Sequence, residues 1–175
     1  EPLRKYEAGK RKVCQYGLET ARRHGAIYTH VRLSNVLGTP QRRGSLIDSL
    51  HKAYQENNIA NLGHCLNGRD YLHIDDVGAA MVKISGLTSS TVVNVGSGKM
   101  TLIRDLVELY WDRLGGERDQ LRFRENMDGE NIKHVRMSIE KIYQKTSWTP
   151  VISLESGIIK TIREMELMTN QPNVE

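Results

Sequence analysis

Tyr6 and Lys10 stand four residues apart in Tyr6-Glu7-Ala8-Gly9-Lys10. On a helix, positions i and i+4 share a face. An ammonium held beside a phenol favours the phenolate and brings its proton exchange toward neutral pH. Such a tyrosine can give a proton to a carbonyl oxygen or take one from a hydroxyl. Seven Tyr and ten Lys in 175 residues yield roughly 0.4 pairs at this spacing by chance. The pair therefore needs context, and the plain alternative is a core tyrosine beside a surface lysine.

Other groups offer less. His24, His30, His51, His64, His73 and His134 include no pair at metal-ligand spacing, and Cys14 and Cys65 form no CxxC. No metal site is expected. His73 reads as a core or capping residue, and Asp75 and Asp76 read as caps of the helix that follows them rather than as chemistry.

Several elements must position these groups. Residues 3–24 carry apolar side chains three and four apart, and Arg22, Arg23 and His24 before Gly25 mark a helix end. Residues 26–33 read as a strand and 34–40 as a loop. A helix is expected over 45–57, irregular chain over 58–69, a strand over 71–74 and a helix over 76–85 with Asp75 as its N-cap. Then follow a strand over 91–95, a helix over 102–114 capped by Thr101, and a strand over 121–124. A loop over 125–136, a short helix opened by Ser138 and a last helix opened by Ser153 complete the reading. Alternating helices and strands predict an α/β fold with parallel strands covered by helices.

Composition bounds the function classes. Hydrophobic residues make up 38% of the chain with 15 Gly besides, which excludes a disordered or fibrous protein. No apolar run reaches the roughly 18–20 residues of a membrane span. Two isolated cysteines exclude a disulfide framework and make a cytoplasmic setting the expectation. The net charge is +4, with ten Lys/Arg against three Asp/Glu in residues 1–43. That basic quarter suits phosphate groups or a solvated helix face; no recognition motif accompanies it, so nucleic acid is not expected.

Four segments share one order and spacing with a known family. They are Tyr6 to Lys10, Val31-Arg32-Leu33-Ser34-Asn35-Val36-Leu37-Gly38-Thr39-Pro40, Gly68-Arg69-Asp70-Tyr71-Leu72-His73-Ile74-Asp75-Asp76-Val77, and Val93-Asn94-Val95-Gly96-Ser97-Gly98. They resemble YxxxK, RxxNVYGP, RDYIHVDDVA and YNVGSG of the extended short-chain dehydrogenase/reductases, the nucleotide-sugar epimerase, dehydratase and reductase family. Ser147-Trp148-Thr149-Pro150 is similar to that family's LGWxP. The resemblance covers residues 1 to about 165.

The resemblance implies roles residue by residue. Tyr6 is the general acid/base, and Lys10 holds the nicotinamide ribose and tunes the tyrosine. Ser34 and Val36 meet the cofactor, and Asn35 meets the sugar diphosphate. Leu37 stands where the family has Tyr. Arg69 neutralises the diphosphate, as a planar guanidinium suits bidentate phosphate binding, with Tyr71 on the same strand face. Lys133 falls where many members carry a second phosphate-binding Arg, and Ser138 replaces an Asp.

The implied fold is the C-terminal half of a Rossmann-like dehydrogenase/reductase with a small substrate-binding subdomain. Residues 1–40 would end the Rossmann-like part, 41–168 would form the subdomain with returning Rossmann segments, and 169–175 a disordered tail. The glycine-rich phosphate turn and the catalytic Ser or Thr of the family are not in this sequence, so the dinucleotide-binding half is expected upstream. The implied cofactor is NAD or NADP and the substrate a nucleotide-diphosphate sugar; C4 reduction, epimerisation and 4,6-dehydration all stay open, with a 4-keto-sugar reductase or epimerase favoured. A homodimer through helices 3–24 and 45–57 is also implied. The rival is a scaffold that keeps the fold without the chemistry.

Overall fold

A computed structural model describes residues 5–125 and 132–169. Helix α1 spans Lys5–His24 and buries only Cys14 and Ala21, two turns apart on one stripe. It stops at Gly25, whose φ of +63° suits glycine. The Ala26 amide closes that end by donating to the Ala21 carbonyl at 2.9 Å. Gly17 lies on the buried side of α1. A Cβ there would sit 2.4 Å from Cζ of Tyr28, so the absent side chain lets the Tyr28 ring lie against the helix.

The chain then runs extended from residue 29 to 37 and changes partner midway. Strand β1, Thr29–Leu33, pairs in parallel with β6, Thr91–Val95. Ser34 is the junction: its amide donates to the Val95 carbonyl, and the Asn35 amide donates to the Asp70 carbonyl, both at 2.9 Å. Strand β2, Asn35–Leu37, pairs in parallel with β5, Tyr71–His73. Strand β3, Ala60–Leu62, is parallel to β8, Leu121–Phe123, while β4, Gly68–Arg69, is antiparallel to β7, Thr101–Leu102.

Helices α2 (Leu46–Gln55), α3 (Ile74–Ser85), α4 (Ile103–Leu114), α5 (Glu140–Thr146) and α6 (Leu154–Thr169) cover these strands. They build two cores. Leu50, Leu106, Tyr110, Trp111 and Ile158 anchor one, from α2, α4 and α6. Ala80, Val93, Val95, Ile142 and Trp148 anchor the other, from α3, β6 and α5. The β2–β5 pair separates them: Leu37 and Tyr71 pack into the first, Val36 and Leu72 into the second. Strand alternation alone sends neighbours into different cores.

The fold is α/β with mostly parallel pairing, as the element order predicts. Some local expectations are corrected. The stretch read as a loop from residue 34 contains β2, and the stretch read as irregular contains β3 and β4. These strands are two or three residues long, too short for alternation to show. The helix after β5 begins at Ile74, and its cap is His73, not Asp75; the His73 Nδ1 accepts from the Asp75 amide at 3.3 Å. Thr101 pairs with Arg69 in a ladder instead of capping α4. Ser138 lies two residues before α5 and does not cap it. Ser153 does cap α6, its Oγ accepting from the Ser156 amide at 3.1 Å. Asp76 is buried and accepts from the Val151 and Ile152 amides. The boundary expected at residue 40 falls in the link between β2 and α2. Residues 1–4, part of the 125–136 loop and all but Thr169 of the expected tail lie outside the described residues.

One buried titratable group makes stability depend on pH. His51 is 3% exposed, and its Nδ1 contacts the Tyr110 hydroxyl at 3.0 Å, while Nε2 is buried without a partner among the described residues. Burial pushes the imidazole below its usual range, although Glu166 and Asp48 pull the other way. The folded state therefore keeps His51 neutral where the unfolded chain takes up a proton. This contribution is complete above about pH 6.5 and is lost as pH falls from there toward the depressed folded value. The expected loss is at most about 1.4 kcal/mol per pH unit for one proton. Urea titrations at pH 7 and 5.5 check it: His51→Gln narrows the difference in unfolding free energy, and an unchanged difference rules His51 out as the source.

Candidate functional site

Two hollows flank the β2 strand. The first, of about 720 Å³, runs between the first turns of α1 and the C-terminal part of β1. Tyr6 and Lys10 enter it from α1, and Ser34 and Val36 from the junction with β2. The Lys10 Nζ lies 5.4 Å from the Tyr6 ring centroid, within cation–π range. Tyr6 is 73% exposed, so its ring does not belong to a core and its hydroxyl is accessible. Glu7, Arg11, Cys14 and His30 complete that wall.

Ser34 carries the feature that most suggests a ligand. Its Oγ is buried and has no hydrogen-bond partner among the described residues. A buried hydroxyl left unpaired costs roughly 1–3 kcal/mol. A polar group placed in the adjoining hollow removes that cost. The position is also where ligands of α/β sheets lie, in the crevice beyond the carboxyl ends of parallel strands.

The second hollow, of about 490 Å³, lies on the other side of β2 and shares Val36 with the first. Asn35, Arg69 and Tyr71 line it together. Asn35 and Tyr71 are register partners across the β2–β5 pair. Burial raises the Tyr71 phenol above its usual range, and a hydrogen bond with the Asn35 side chain partly offsets that. The Arg69 Nη1 donates to the Gly68 carbonyl at 2.8 Å and the Lys133 carbonyl at 2.9 Å. Its Nε and Nη2 carry no hydrogen bond among the described residues, so one edge of the guanidinium is fixed and another is available.

Lys133 is placed differently from the other expected ligands. Its side chain is exposed and does not line the hollow. Its backbone holds Arg69 instead: the carbonyl accepts from Arg69 and from the Gly68 amide, and its own amide donates to Asn67 Oδ1 at 2.7 Å.

Asp70, between Arg69 and Tyr71, went unassigned in the sequence reading. It is 2% exposed. Its Oδ1 accepts from the Ser97 amide at 2.7 Å and the Ser97 hydroxyl at 2.8 Å. Its Oδ2 accepts from the Gly98 amide at 3.0 Å and the Met137 amide at 3.1 Å. The Gly96-Ser97-Gly98 turn therefore cradles a carboxylate of the chain itself. A Cβ on Gly96 would come within 2.8 Å of Met137 and 3.1 Å of Asp70. Among the described residues no cluster of His, Cys, Asp and Glu could hold a metal ion, and no helix is long and apolar enough to cross a membrane.

Comparison with known proteins places these features in one family. Residues 1–96 match the NAD dependent epimerase/dehydratase family. A UDP-glucuronate 4-epimerase of Thermodesulfobacterium geofontis is 25% identical over 163 residues, covering 92% of this chain and 50% of that protein. A dTDP-4-dehydro-6-deoxyglucose reductase of Escherichia coli is 26% identical over 140 residues, covering 77% and 44%. The chain thus spans about half the length of the curated relatives it matches. Among solved structures, a UDP-glucose 4-epimerase with UDP-glucose from Thermotoga maritima superposes with a TM-score of 0.84 at 24% identity, over 97% of this chain and 56% of that one. The RMD protein of Pseudomonas aeruginosa complexed with NADPH gives 0.83 at 24% identity, over 96% and 58%. With more than half of its length matched to the family and the Rossmann-like fold shared throughout, the chain belongs to the NAD-dependent epimerase/dehydratase family of extended short-chain dehydrogenase/reductases.

Proposed function

We propose that this chain supplies the substrate-facing part and the proton-transfer pair of an NAD(P)-dependent nucleotide-sugar epimerase or 4-keto-sugar reductase. One observation carries the reading: Val36 lines both hollows. The phenol–ammonium pair and the Asn35–Arg69–Tyr71 group therefore flank the same short strand. A sugar reaching from the second hollow across β2 brings its hydroxyl or carbonyl toward Tyr6.

The residues of the first hollow fit a nicotinamide. Ser34 offers a buried hydroxyl with no partner among the described residues, Val36 an apolar wall, and Lys10 a cation over the Tyr6 ring. A bound NAD or NADP supplies the hydride exchange at the sugar carbon. Tyr6 takes the proton from the sugar hydroxyl during oxidation and returns it to the carbonyl oxygen during reduction. Lys10 places positive charge beside the phenolate that this exchange creates. Asn35 and Arg69 hold the diphosphate and so fix the sugar's distance from Tyr6. The assembly that accompanies this reading is a homodimer beside α1 and α2, supported by exposed Val13 and Tyr16 on α1.

Arg69 tests the substrate side in the full-length enzyme. Arg69→Ala removes a charge-assisted contact worth roughly 1.5–3 kcal/mol. That contact exists in ground and transition states alike, so steady-state kinetics should show KM for the nucleotide sugar rising about tenfold or more with kcat little changed. A variant that unfolds with KM unmoved in the folded remainder assigns Arg69 to structure, through its bonds to Gly68 and Lys133.

A further inference from the structure

The second hollow is lined by another arginine, the exposed Arg42, and by no carboxylate among the described residues. Arg42 stands on the loop between β2 and α2, whose other polar side chains in the hollow are already engaged. The Thr39 hydroxyl donates to Glu164 on α6 at 2.8 Å. The Gln41 amide donates to the Gly38 carbonyl at 2.5 Å and accepts from the Ser45 hydroxyl at 3.2 Å. The Gly44 amide donates to Asp48 at 2.7 Å. These bonds pin the loop on both sides of Arg42, while its guanidinium has no partner among the described residues. Positive charge beside a hollow lined by no acid among the described residues disfavours a neutral ligand and favours an anionic one.

The two cations reach the hollow from opposite ends of the β2–β5 pair. Arg69 precedes β5, whose Tyr71 is level with Asn35 at the start of β2. Arg42 follows Leu37, the last residue of β2. The apolar side chains of Leu37, Ile74 and Leu106 also line the hollow. A single phosphate can be satisfied by Arg69 alone, whose available edge suits bidentate binding. A second, independently held guanidinium calls for a second phosphoryl group.

We propose that Arg42 is a substrate-binding residue that, opposite Arg69, clamps the diphosphate and makes the site discriminate nucleoside diphosphates from monophosphates. The proposal rests on the nucleotide-sugar reading and adds to it the residue that counts phosphates. Both arginines lie on this chain, so the test needs no cofactor.

Calorimetric titration of the full-length enzyme with UDP, GDP and their monophosphates at low salt reads the effect. The diphosphates should bind more tightly than the monophosphates. Arg42→Ala should weaken diphosphate binding about tenfold or more and leave monophosphate binding within about twofold, so that the discrimination collapses. Arg43→Ala, which removes the same charge from an exposed neighbour outside the hollow, should leave both within about twofold. Equal effects of Arg42→Ala and Arg43→Ala overturn the proposal and reduce it to general charge. Loss of diphosphate binding in Arg69→Ala alone overturns the Arg42 assignment while sparing the nucleotide-sugar reading. No binding of any nucleotide at millimolar concentration by the folded wild-type enzyme overturns both.

Discussion

Tyr6→Phe should lower kcat of the full-length enzyme by about 10²–10⁴-fold, the usual worth of a positioned acid/base. The ring and its contact with Lys10 are retained; only the hydroxyl is lost. Because Tyr6 is 73% exposed, folding should change by no more than about 0.5 kcal/mol, as for other surface substitutions. Lys10→Met should act differently: the Tyr6 hydroxyl stays but the cation beside its ring is lost, so kcat should fall by less than in Tyr6→Phe. The two effects should not add, since both act on one proton transfer. Steady-state kinetics with a nucleotide sugar, beside thermal melts, separates these outcomes. Near-normal turnover in Tyr6→Phe would leave the family fold as a scaffold and remove the proton-transfer role.

How far the site was legible beforehand depended on the range of the interaction that holds each residue. Tyr6 and Lys10 are related by one helical turn, and α1 announces itself over 20 residues, so their pairing follows from periodicity. Strand β6 was equally plain, as Thr91–Val95 is a β-branched run bounded by turn residues. Asn35, Arg69 and Tyr71 came from the family resemblance; the β2–β5 register sets Asn35 level with Tyr71, and Arg69 of β4 lines the same hollow. Strand β2 itself was missed, since its three residues sit between Ser34 and Gly38-Thr39-Pro40, a setting that reads as loop. The caps were misread for a related reason. Asp75 and Thr101 are good N-cap residues, but His73 and Leu102 occupy those positions because β5 and β7 run directly into α3 and α4.

Asp70 is the clearest case of a residue that local reasoning could not reach. Its partners Ser97, Gly98 and Met137 are 27, 28 and 67 residues away. No spacing rule links them. Arg42 was invisible for the opposite reason: it stood within a basic quarter whose summed charge hid which member faces a cavity. At position 133 no spacing rule could show that the backbone carbonyl holds Arg69.

Asp70→Asn should be the most damaging single substitution for the folded site, although Asp70 lines neither hollow. A carboxylate accepts at both oxygens, and here each has two donors pointed at it, with no donor group required in return. Asparagine keeps one accepting oxygen and turns an NH₂ either toward the Gly98 and Met137 amides or toward the Ser97 amide and hydroxyl, so at least one N–H donor loses its acceptor. Hydrogen bonds to charged groups are each worth about 1.5–3 kcal/mol, and the stranded amides add a desolvation cost. A loss of roughly 3–5 kcal/mol is expected, comparable to breaking a buried charged network. The damage should also reach the site. Asp70 joins the Gly96–Gly98 turn and Met137 to the residue between Arg69 and Tyr71, and its carbonyl receives the Asn35 amide where β2 begins. Releasing that tie frees Arg69 and Asn35 together, so nucleoside diphosphate affinity should fall along with stability. Urea unfolding and calorimetric binding on the same preparation check both. A variant as stable as wild type would mean that the four contacts are replaceable. A destabilised variant with unchanged nucleotide affinity would show that Arg69 and Asn35 are held by β4, β5 and the Lys133 carbonyl alone.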